Sequence, residues 1–219
     1  MSLTKSSRFI LCFLLVGLLS ACAGTKKNIA SIEPLFVEID GEITVTEKPV
    51  EGLKRRAQAE QDYIMALGVM RNGKPKHALR LLTAFVKAYP HYSGPYANLG
   101  IIYQDADDFE KAEASYLKAA ELKPDSAVIY NRLGMLYREM GQFEKAEKAY
   151  LNALEIDSGY AEAHMNLGIL YDMYMHSPKK ALLYYTRYQS LVDGRDEQVS
   201  IWIADLERRG HYMSKADLK

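Results

Sequence analysis

Apolar residues recur through residues 59–195 at spacings of three, four and seven positions. Such spacing places side chains on one side of a helix with about 3.6 residues per turn. Each apolar stretch is interrupted by a few polar residues and then resumes with the same spacing. The pattern therefore predicts pairs of consecutive amphipathic helices, and the expected fold class is all-α.

The helix pairs repeat with a period of 34 residues. Residues 93–126 and 127–160 align without a gap, and the identical residues include Tyr96, Leu99, Gly100, Tyr103, Ala112, Tyr116 and Ala119, which recur as Tyr130, Leu133, Gly134, Tyr137, Ala146, Tyr150 and Ala153. A third copy, residues 161–195, has one extra residue near Ser177-Pro178, and a weaker copy covers residues 59–92. The chain thus predicts four helical hairpins within residues 51–195.

This set of residues resembles the signature of the tetratricopeptide repeat. The resemblance implies a right-handed α-solenoid of about four hairpins. The sequence departs from the signature at Ser158, where proline is usual, at Phe85 and Tyr188, where alanine is usual, and at the extra residue of the last copy. These departures predict an irregular last hairpin.

Small and turn-forming residues suggest how each hairpin is built. Gly100 and Gly134 are expected where the two helices of a hairpin approach closely, with the tyrosines filling the wider space between hairpins. Gly73 and Gly141 are expected to end helices in a left-handed backbone conformation. Proline cannot continue a helix, so Pro90 and Pro124 should stop the second helices.

Residues 196–209 predict a helix that covers the end of the array. Val199, Trp202, Ile203 and Leu206 share one face of this helix, and a solenoid needs such a cover for its last hairpin. Trp202 is therefore predicted to pack, rather than to bind a ligand, and Gly210 is expected to end the helix. Residues 196–219 form the predicted capping helix and tail.

The first 21 residues have the layout of an export signal. Lys5 and Arg8 precede an uncharged apolar run, residues 9–19, which is shorter than the roughly 20 residues that a membrane-spanning helix needs. Residues 19–22, Leu-Ser-Ala-Cys, resemble the lipobox of bacterial lipoproteins. The resemblance implies acylation of Cys22 and cleavage before it, whereas an ordinary signal peptide with an incidental cysteine is the alternative.

Acylation at Cys22 would hold the mature chain on a membrane, because two or more acyl chains give stable attachment. Ala23 follows the cysteine where aspartate would imply retention at the inner membrane, so the resemblance favours the periplasmic face of the outer membrane. Cys12 would leave with the leader, and the mature chain would have no free thiol for disulfides or thiolate metal sites.

Residues 22–50 differ from the repeats and are predicted to be a lipidated tether. Within them, Leu35, Val37, Ile39, Ile43 and Val45 occupy alternate positions around Asp40-Gly41. This alternation suggests a short β-hairpin, which would be marginally stable alone. The segment must pack on the array, pair with a partner strand or stay disordered, and packing on the array is favoured.

Charge and composition point away from several functions. The whole chain has 28 basic and 28 acidic residues, and loss of the leader leaves a net charge of −2, so nucleic-acid binding is not expected. The five histidines show no metal-ligand spacing, and the sequence has no phosphate-binding glycine loop. We therefore predict a protein that is not an enzyme and needs no cofactor.

Function is expected on the first helices of the hairpins, which line a concave groove in tetratricopeptide arrays. In the family, certain positions of each repeat face this groove. The residues at those positions in this sequence are fourteen candidates, which we call the inner wall: Tyr63, Leu67, Met70, Asn98, Ile101, Gln104, Asn131, Arg132, Met135, Arg138, Met165, Asn166, Ile169 and Asp172. The ninth place of every unit is apolar and could receive a partner helix or extended peptide, although burial between helices explains it equally well.

The sixth place carries an amide or a guanidinium, at Asn98, Arg132 and Asn166. An amide donates and accepts hydrogen bonds at once, so this row could hold the backbone of a bound segment, with simple solvent exposure as the alternative. The inner wall lacks the basic set with which chaperone-binding relatives grip a terminal carboxylate. Its methionines and tyrosine suit adaptable contacts.

The sequence therefore predicts a lipid-anchored adaptor that binds an envelope protein. Its layout is similar to the pilotins of type IV pili, which assist secretin assembly, although those have about six repeats close to the lipidated cysteine. Recruitment of peptidoglycan-modifying enzymes is a second possibility. A carrier of a small envelope ligand is the third, and four repeats are too few to enclose one. The sequence does not give the oligomeric state.

Overall fold

The computed structural model describes the backbone of residues 49–216 and the side chains of residues 52–210. This part of the chain is helical and contains no strand. Its helices are α1 (Pro49–Arg71), α2 (Pro75–Ala88), α3 (Ser93–Asp105), α4 (Phe109–Leu122), α5 (Ala127–Glu139), α6 (Phe143–Ile156), α7 (Ala161–Ile169), α8 (Pro178–Leu191) and α9 (Glu197–Ala216). Each helix packs on the next one along the chain. The predicted all-α solenoid of four hairpins with a C-terminal helix is confirmed.

The predictions for the N-terminal segment lie outside the described residues. They concern the leader, Cys22 and the possible β-hairpin between residues 30 and 48. All of the described residues belong to one compact unit.

The turn inside each hairpin contains one residue in the left-handed conformation. Gly73 and Gly141 have φ of 67° and 72°, as predicted, while Asp107 and His176 take the same place with φ of 58° and 48°. In the first three hairpins the turn closes with a backbone hydrogen bond that spans five residues, such as Gln142 N to Tyr137 O at 2.8 Å. Such a bond satisfies a carbonyl that the helix end would leave unpaired.

The glycines of the repeat accommodate a tyrosine of the same hairpin. A Cβ atom on Gly100 would lie 2.5 Å from the ring of Tyr116, and one on Gly134 would lie 2.5 Å from the ring of Tyr150. Gly168 and Tyr185 form the same pair. In the first hairpin the corresponding residues are Ala66 and Leu82, both fully buried, because a smaller aliphatic side chain leaves room for a methyl group.

These pairs correct one prediction from the sequence. Tyr116, Tyr150 and Tyr185 each pack on the glycine of their own hairpin, whereas the sequence predicted the tyrosines of the repeat only in the space between hairpins. The tyrosines that bridge hairpins are Tyr137 and Tyr171. The Tyr137 hydroxyl donates to Glu113 Oε1 at 2.8 Å, and Tyr171 donates to Glu147 of the preceding hairpin. Burial, with the adjacent Glu113 carboxylate, raises the pKa of Tyr137 to about 12.

The last hairpin is irregular, as the extra residue predicts. Helix α7 continues as a π-helical turn, Leu170–Tyr174, which accommodates one more residue than an α-helical turn. The closing hydrogen bond of this hairpin, Ser177 N to Tyr171 O, accordingly spans six residues instead of five. The extra residue is thus absorbed upstream of Ser177-Pro178.

Helix α9 covers the last hairpin. Val199 and Leu206 are buried, and the ring of Trp202 lies 5.4 Å from the ring of Tyr185, which confirms the packing role predicted for Trp202. The prediction that Gly210 ends this helix is wrong, because α9 continues to Ala216. A single glycine inside an exposed helix costs only about 1 kcal/mol, so it need not end one.

Candidate protein-binding surface

The structure divides the inner wall into a closed part and an open part. The closed part consists of the buried residues Tyr63, Leu67, Met70, Asn98, Ile101 and Asn131. The open part consists of the partly exposed residues Gln104, Arg132, Met135, Arg138, Met165, Asn166, Ile169 and Asp172. The closed part lies mostly on α1 and α3, whereas the open part lies mostly on α5, α7 and the π-helical turn.

The ninth place of the repeat shows this division clearly. Leu67 and Ile101 are only 3% and 4% exposed, while Met135 and Ile169 at the same place are partly exposed. Ile101 and Ile169 are the same residue type at the same helical position, so side-chain size does not explain their difference. The apolar surface that a partner can reach is formed by Met135, Met165 and Ile169.

Asn98 and Asn166, the amides at the sixth place of the repeat, form what we call the amide row. Both hold adjacent hairpins together. Asn98 is fully buried, and its Nδ2 donates to the hydroxyl of Tyr63 at 2.6 Å. Asn166 Nδ2 donates to Asn131 Oδ1 at 3.0 Å. Solvent exposure is therefore the wrong interpretation of Asn98, whose amide is used within the array. Burial raises the pKa of Tyr63 above its usual range, so this hydroxyl keeps its proton.

A second polar link joins the second and third hairpins at the twelfth place. The hydroxyl of Tyr116 donates to Gln104 Oε1 at 2.9 Å, and Gln104 Nε2 donates to Glu139 Oε2 at 2.7 Å. Glu139 was not among the predicted residues. Its place next to Arg138, at the thirteenth position of the unit, is the sequence signal that could have indicated it.

Arg138 replaces this glutamine in the next hairpin and breaks the link. Among the described residues, Arg138 Nη1 and the hydroxyl of Tyr150 are buried and have no hydrogen-bond partner. A buried donor without an acceptor is costly, by about 1–3 kcal/mol and more for a charged group. Arg138 Nη1 and the hydroxyl of Tyr150 are thus unsatisfied polar groups inside the array.

The C-terminal helix closes one end of the open part. Arg209 Nη2 lies 3.1 Å from Asp172 Oδ1, and Arg209 Nε lies 2.9 Å from Asp205 Oδ2. Arg209 was assigned to the capping helix and not to the inner wall, since contacts between separate elements cannot be derived from a repeat position. Asp172 is therefore engaged by the cap, and the arginines of the open part are Arg132 and Arg138.

The described part of the chain lacks both a metal-binding cluster and a membrane-spanning helix. It contains no group of three or more histidine, cysteine, aspartate or glutamate side chains arranged to bind a metal ion. None of the helices in residues 49–216 combines the length and the apolar character needed to cross a membrane.

The repeat can now be compared with known proteins. The tetratricopeptide repeat model matches residues 91–158 and 125–192. The two matches overlap and together cover the second, third and fourth hairpins. These three hairpins are similar to tetratricopeptide hairpins, and arrays of such repeats have the fold of a protein-interaction scaffold.

Solved structures share the same fold. The chain is similar to PilF of Pseudomonas aeruginosa, with a TM-score of 0.66 and 22% identity over 75% of this chain and 74% of that one. It is also similar to MamA of Desulfovibrio magneticus, with a TM-score of 0.62 and 19% identity over 73% of this chain and 89% of that one. No curated protein matches the sequence. At these identities the likeness concerns the fold alone.

Proposed function

We propose that the protein is a membrane-anchored adaptor that binds an envelope protein through the open part of its inner wall and assists assembly of an envelope complex. The observation that supports this function most is the accessible apolar surface of Met135, Met165 and Ile169. The tetratricopeptide array supplies the scaffold, and the lipobox-like sequence at Cys22 supplies the anchor.

The open part defines the chemistry of a suitable partner. Methionine side chains adapt their shape to different apolar surfaces, so a helix or extended segment with a row of apolar residues fits Met135, Met165 and Ile169. Arg138 lies within one turn of Met135, and part of its side chain is exposed. A carboxylate beside the apolar row of the partner would pair with this guanidinium.

We propose that the envelope complex is the secretin of the type IV pilus. The reason is that a lipidated array of tetratricopeptide hairpins has a layout similar to that of the pilotins, which assist secretin assembly. Anchorage at the periplasmic face of the outer membrane would place the array beside such a ring. In a strain lacking the gene, secretin multimers should be lost and monomers retained. Normal multimers in that strain would eliminate this partner while leaving the adaptor function open to another.

Binding is tested by capture from detergent-solubilised envelopes with the full-length protein as bait. The bait should recover a discrete protein, and Met135→Lys/Ile169→Lys should lose it, because two charges are placed in the apolar row. The matched control is Leu117→Lys, which changes a 48% exposed leucine of α4 that is not part of the inner wall. Equal capture by the inner-wall variant and the control would rule out the open part as the binding surface.

Anchoring is tested separately. The wild-type protein should sediment with membranes and incorporate a labelled fatty acid, and Cys22→Ser should do neither. A wild-type chain that is soluble and unlabelled would contradict the anchor without affecting the proposed binding surface.

A further inference from the structure

The first helix of the array exposes apolar residues at places that the later hairpins bury. At the seventh place of the repeat, Leu99, Leu133 and Leu167 are between 0% and 5% exposed, whereas Met65 is 56% exposed. At the sixth place, which contacts the preceding hairpin in the second and fourth hairpins, Ile64 is 65% exposed. Within the described part of the chain no hairpin precedes α1. The N-terminal end of the described array is therefore uncovered.

The uncovered surface continues along the N-terminal half of α1. Leu53, Ala57 and Ile64 follow one another at intervals of four and seven residues, which places them on one side of the helix. All three are exposed, and we call them the end face. Leu53 and Ile64 lie about 17 Å apart along the helix axis, with the small Ala57 between them. Arg56 and Glu60 border the end face on one edge and form an ion pair at 3.4 Å.

We propose that the end face binds the end face of a second copy of this protein, with the two α1 helices antiparallel. A two-fold axis midway between Leu53 and Ile64 places each of these residues opposite the other one in the second copy. Ala57 lies near the axis, where its short side chain lets the two helices approach closely. The same surface thus serves both copies, and each covers the exposed apolar residues of the other.

The charges of α1 select the antiparallel arrangement. Lys54, Arg55 and Arg56 are basic, while Glu60 and Asp62 are acidic. In the antiparallel pair the basic segment of each copy faces the acidic segment of the other, so that Arg56 lies near Glu60 of the second copy. A parallel pair would bring the two basic segments together. Charge complementarity therefore adds to the apolar contact only when the helices run in opposite directions.

Head-to-tail stacking of copies fits the end face less well. It would require an apolar outer surface on α9, where the exposed Ile201 is surrounded by the polar and charged residues Glu197, Gln198 and Arg208. Such stacking would also leave one end face open in every assembly, whereas the antiparallel pair covers both.

This inference goes beyond the proposed function and does not rest on it. The antiparallel pair uses α1 and leaves the open part of the inner wall, on α5 and α7, accessible. A pair of copies would therefore present two open parts. A partner complex that contains the recognised segment more than once would be held more tightly by the pair than by one copy.

The first test is the protein mass of the detergent-solubilised full-length chain, measured by light scattering. The wild-type mass should be that of two chains, and Ile64→Arg should reduce it to one. The matched control is Leu183→Arg, which changes a 64% exposed leucine of α8 and should leave the pair intact. A single-chain mass of the wild type at about 0.1 mM, where even a weak pair would form, would overturn the proposal. Equal masses of the two variants would do the same.

The second test exchanges the charges that border the end face. Arg56→Glu and Glu60→Arg each place like charges opposite one another in a pair of identical chains. A mixture of the two variants restores both contacts between opposite charges, so mixed pairs should form at least about tenfold more tightly than identical pairs. Both variants lose the ion pair within α1 equally, so its loss cannot produce this preference. Native mass spectrometry with one variant isotope-labelled counts the pairs, and a mixture without excess mixed pairs would overturn the proposal.

The third test identifies the occupant of the end face directly. A photoreactive benzoylphenylalanine at Leu53 should cross-link to residues 61–68 of a second copy, which mixed isotope labelling distinguishes from products within one molecule. Products with residues 1–48 of the same molecule, or with a different protein of the envelope, would mean that another occupant covers the end face and would overturn the proposal.

Discussion

The closed and open parts of the inner wall have the same repeat geometry and differ in access. Ile101 and Ile169 take the same place on α3 and α7, yet only Ile101 is buried. The interiors of the hairpins do not differ in this way, since Tyr116 and Tyr150 are both fully buried against a glycine. The open part is therefore accessible surface on a well-packed hairpin, and not a loosely packed region of the array.

The largest expected effect tests whether the interiors of the second and third hairpins are equally well packed. Gly100→Leu and Gly134→Leu should each lower the free energy of unfolding by about 3 kcal/mol or more, because even a Cβ at these positions lies 2.5 Å from a tyrosine ring. Urea denaturation followed by circular dichroism measures both. A much smaller effect of Gly134→Leu would show that the third hairpin is loosely packed, and the comparison would fail.

A double variant shows whether the tyrosine ring is the cause. The first hairpin combines Ala66 with Leu82. The double variant Gly134→Ala/Tyr150→Leu gives the third hairpin the same two residue types. It should be more stable than Gly134→Ala alone. A double variant that is less stable than the single one would mean that the clash with the ring is not the dominant cost.

The next effect measures the difference between the parts directly. Ile101→Ala should cost about 2–4 kcal/mol, since it removes a buried side chain, whereas Ile169→Ala should cost about 1 kcal/mol because part of that side chain is already in water. The two variants are compared in the same urea denaturation experiment. Equal costs would remove the distinction between a closed and an open part at the ninth place.

The amide row gives a smaller contrast of the same kind. Asn98→Ala should cost about 1–3 kcal/mol, because it leaves the buried hydroxyl of Tyr63 without its donor at 2.6 Å. Asn166→Ala should cost less than about 1 kcal/mol, since Asn166 is partly exposed and water can replace its amide. Thermal unfolding of the two variants measures this difference. A greater loss of stability for Asn166→Ala than for Asn98→Ala would contradict the view that Asn98 is the more tightly enclosed amide.

The repeat made the fold predictable, but not the access to its inner wall. Period, helix pairs and the left-handed turns at Gly73 and Gly141 follow from local sequence, because each depends on residues close together in the chain. The difference between Ile101 and Ile169 does not, since identical residues occupy the same place of the repeat, and their exposure depends on how the surrounding chain packs. The same holds for Asn98, whose partner Tyr63 lies 35 residues away.

The irregular hairpin was predictable in kind and not in position. One extra residue relative to the period is visible in the sequence, but a π-helical turn at Leu170–Tyr174 and a longer loop at Ser177 accommodate it equally well until packing selects between them. Similarly, Gly210 is a helix terminator by local preference, and α9 continues through it. The pairing of Gly100 with Tyr116 was not predicted, because several tyrosines recur with the same period as the glycine and periodicity alone cannot say which of them meets it.

The smallest expected effect concerns the hairpin turns, which differ between the parts in residue type. The turn of the open fourth hairpin places His176 at φ of 48°, where the third hairpin has Gly141 at 72°. A side chain in this conformation costs about 1–2 kcal/mol, while glycine increases the conformational entropy of the unfolded chain by about half of that amount. His176→Gly should therefore raise the free energy of unfolding by about 0.5–1 kcal/mol, which thermal unfolding at neutral pH can detect as a rise in Tm. Gly141→Ala should have the opposite sign, because it introduces the same strain into the third hairpin. If His176→Gly lowers Tm, the histidine side chain contributes contacts to the irregular hairpin that exceed its backbone strain, and the turns of the two hairpins are not equivalent.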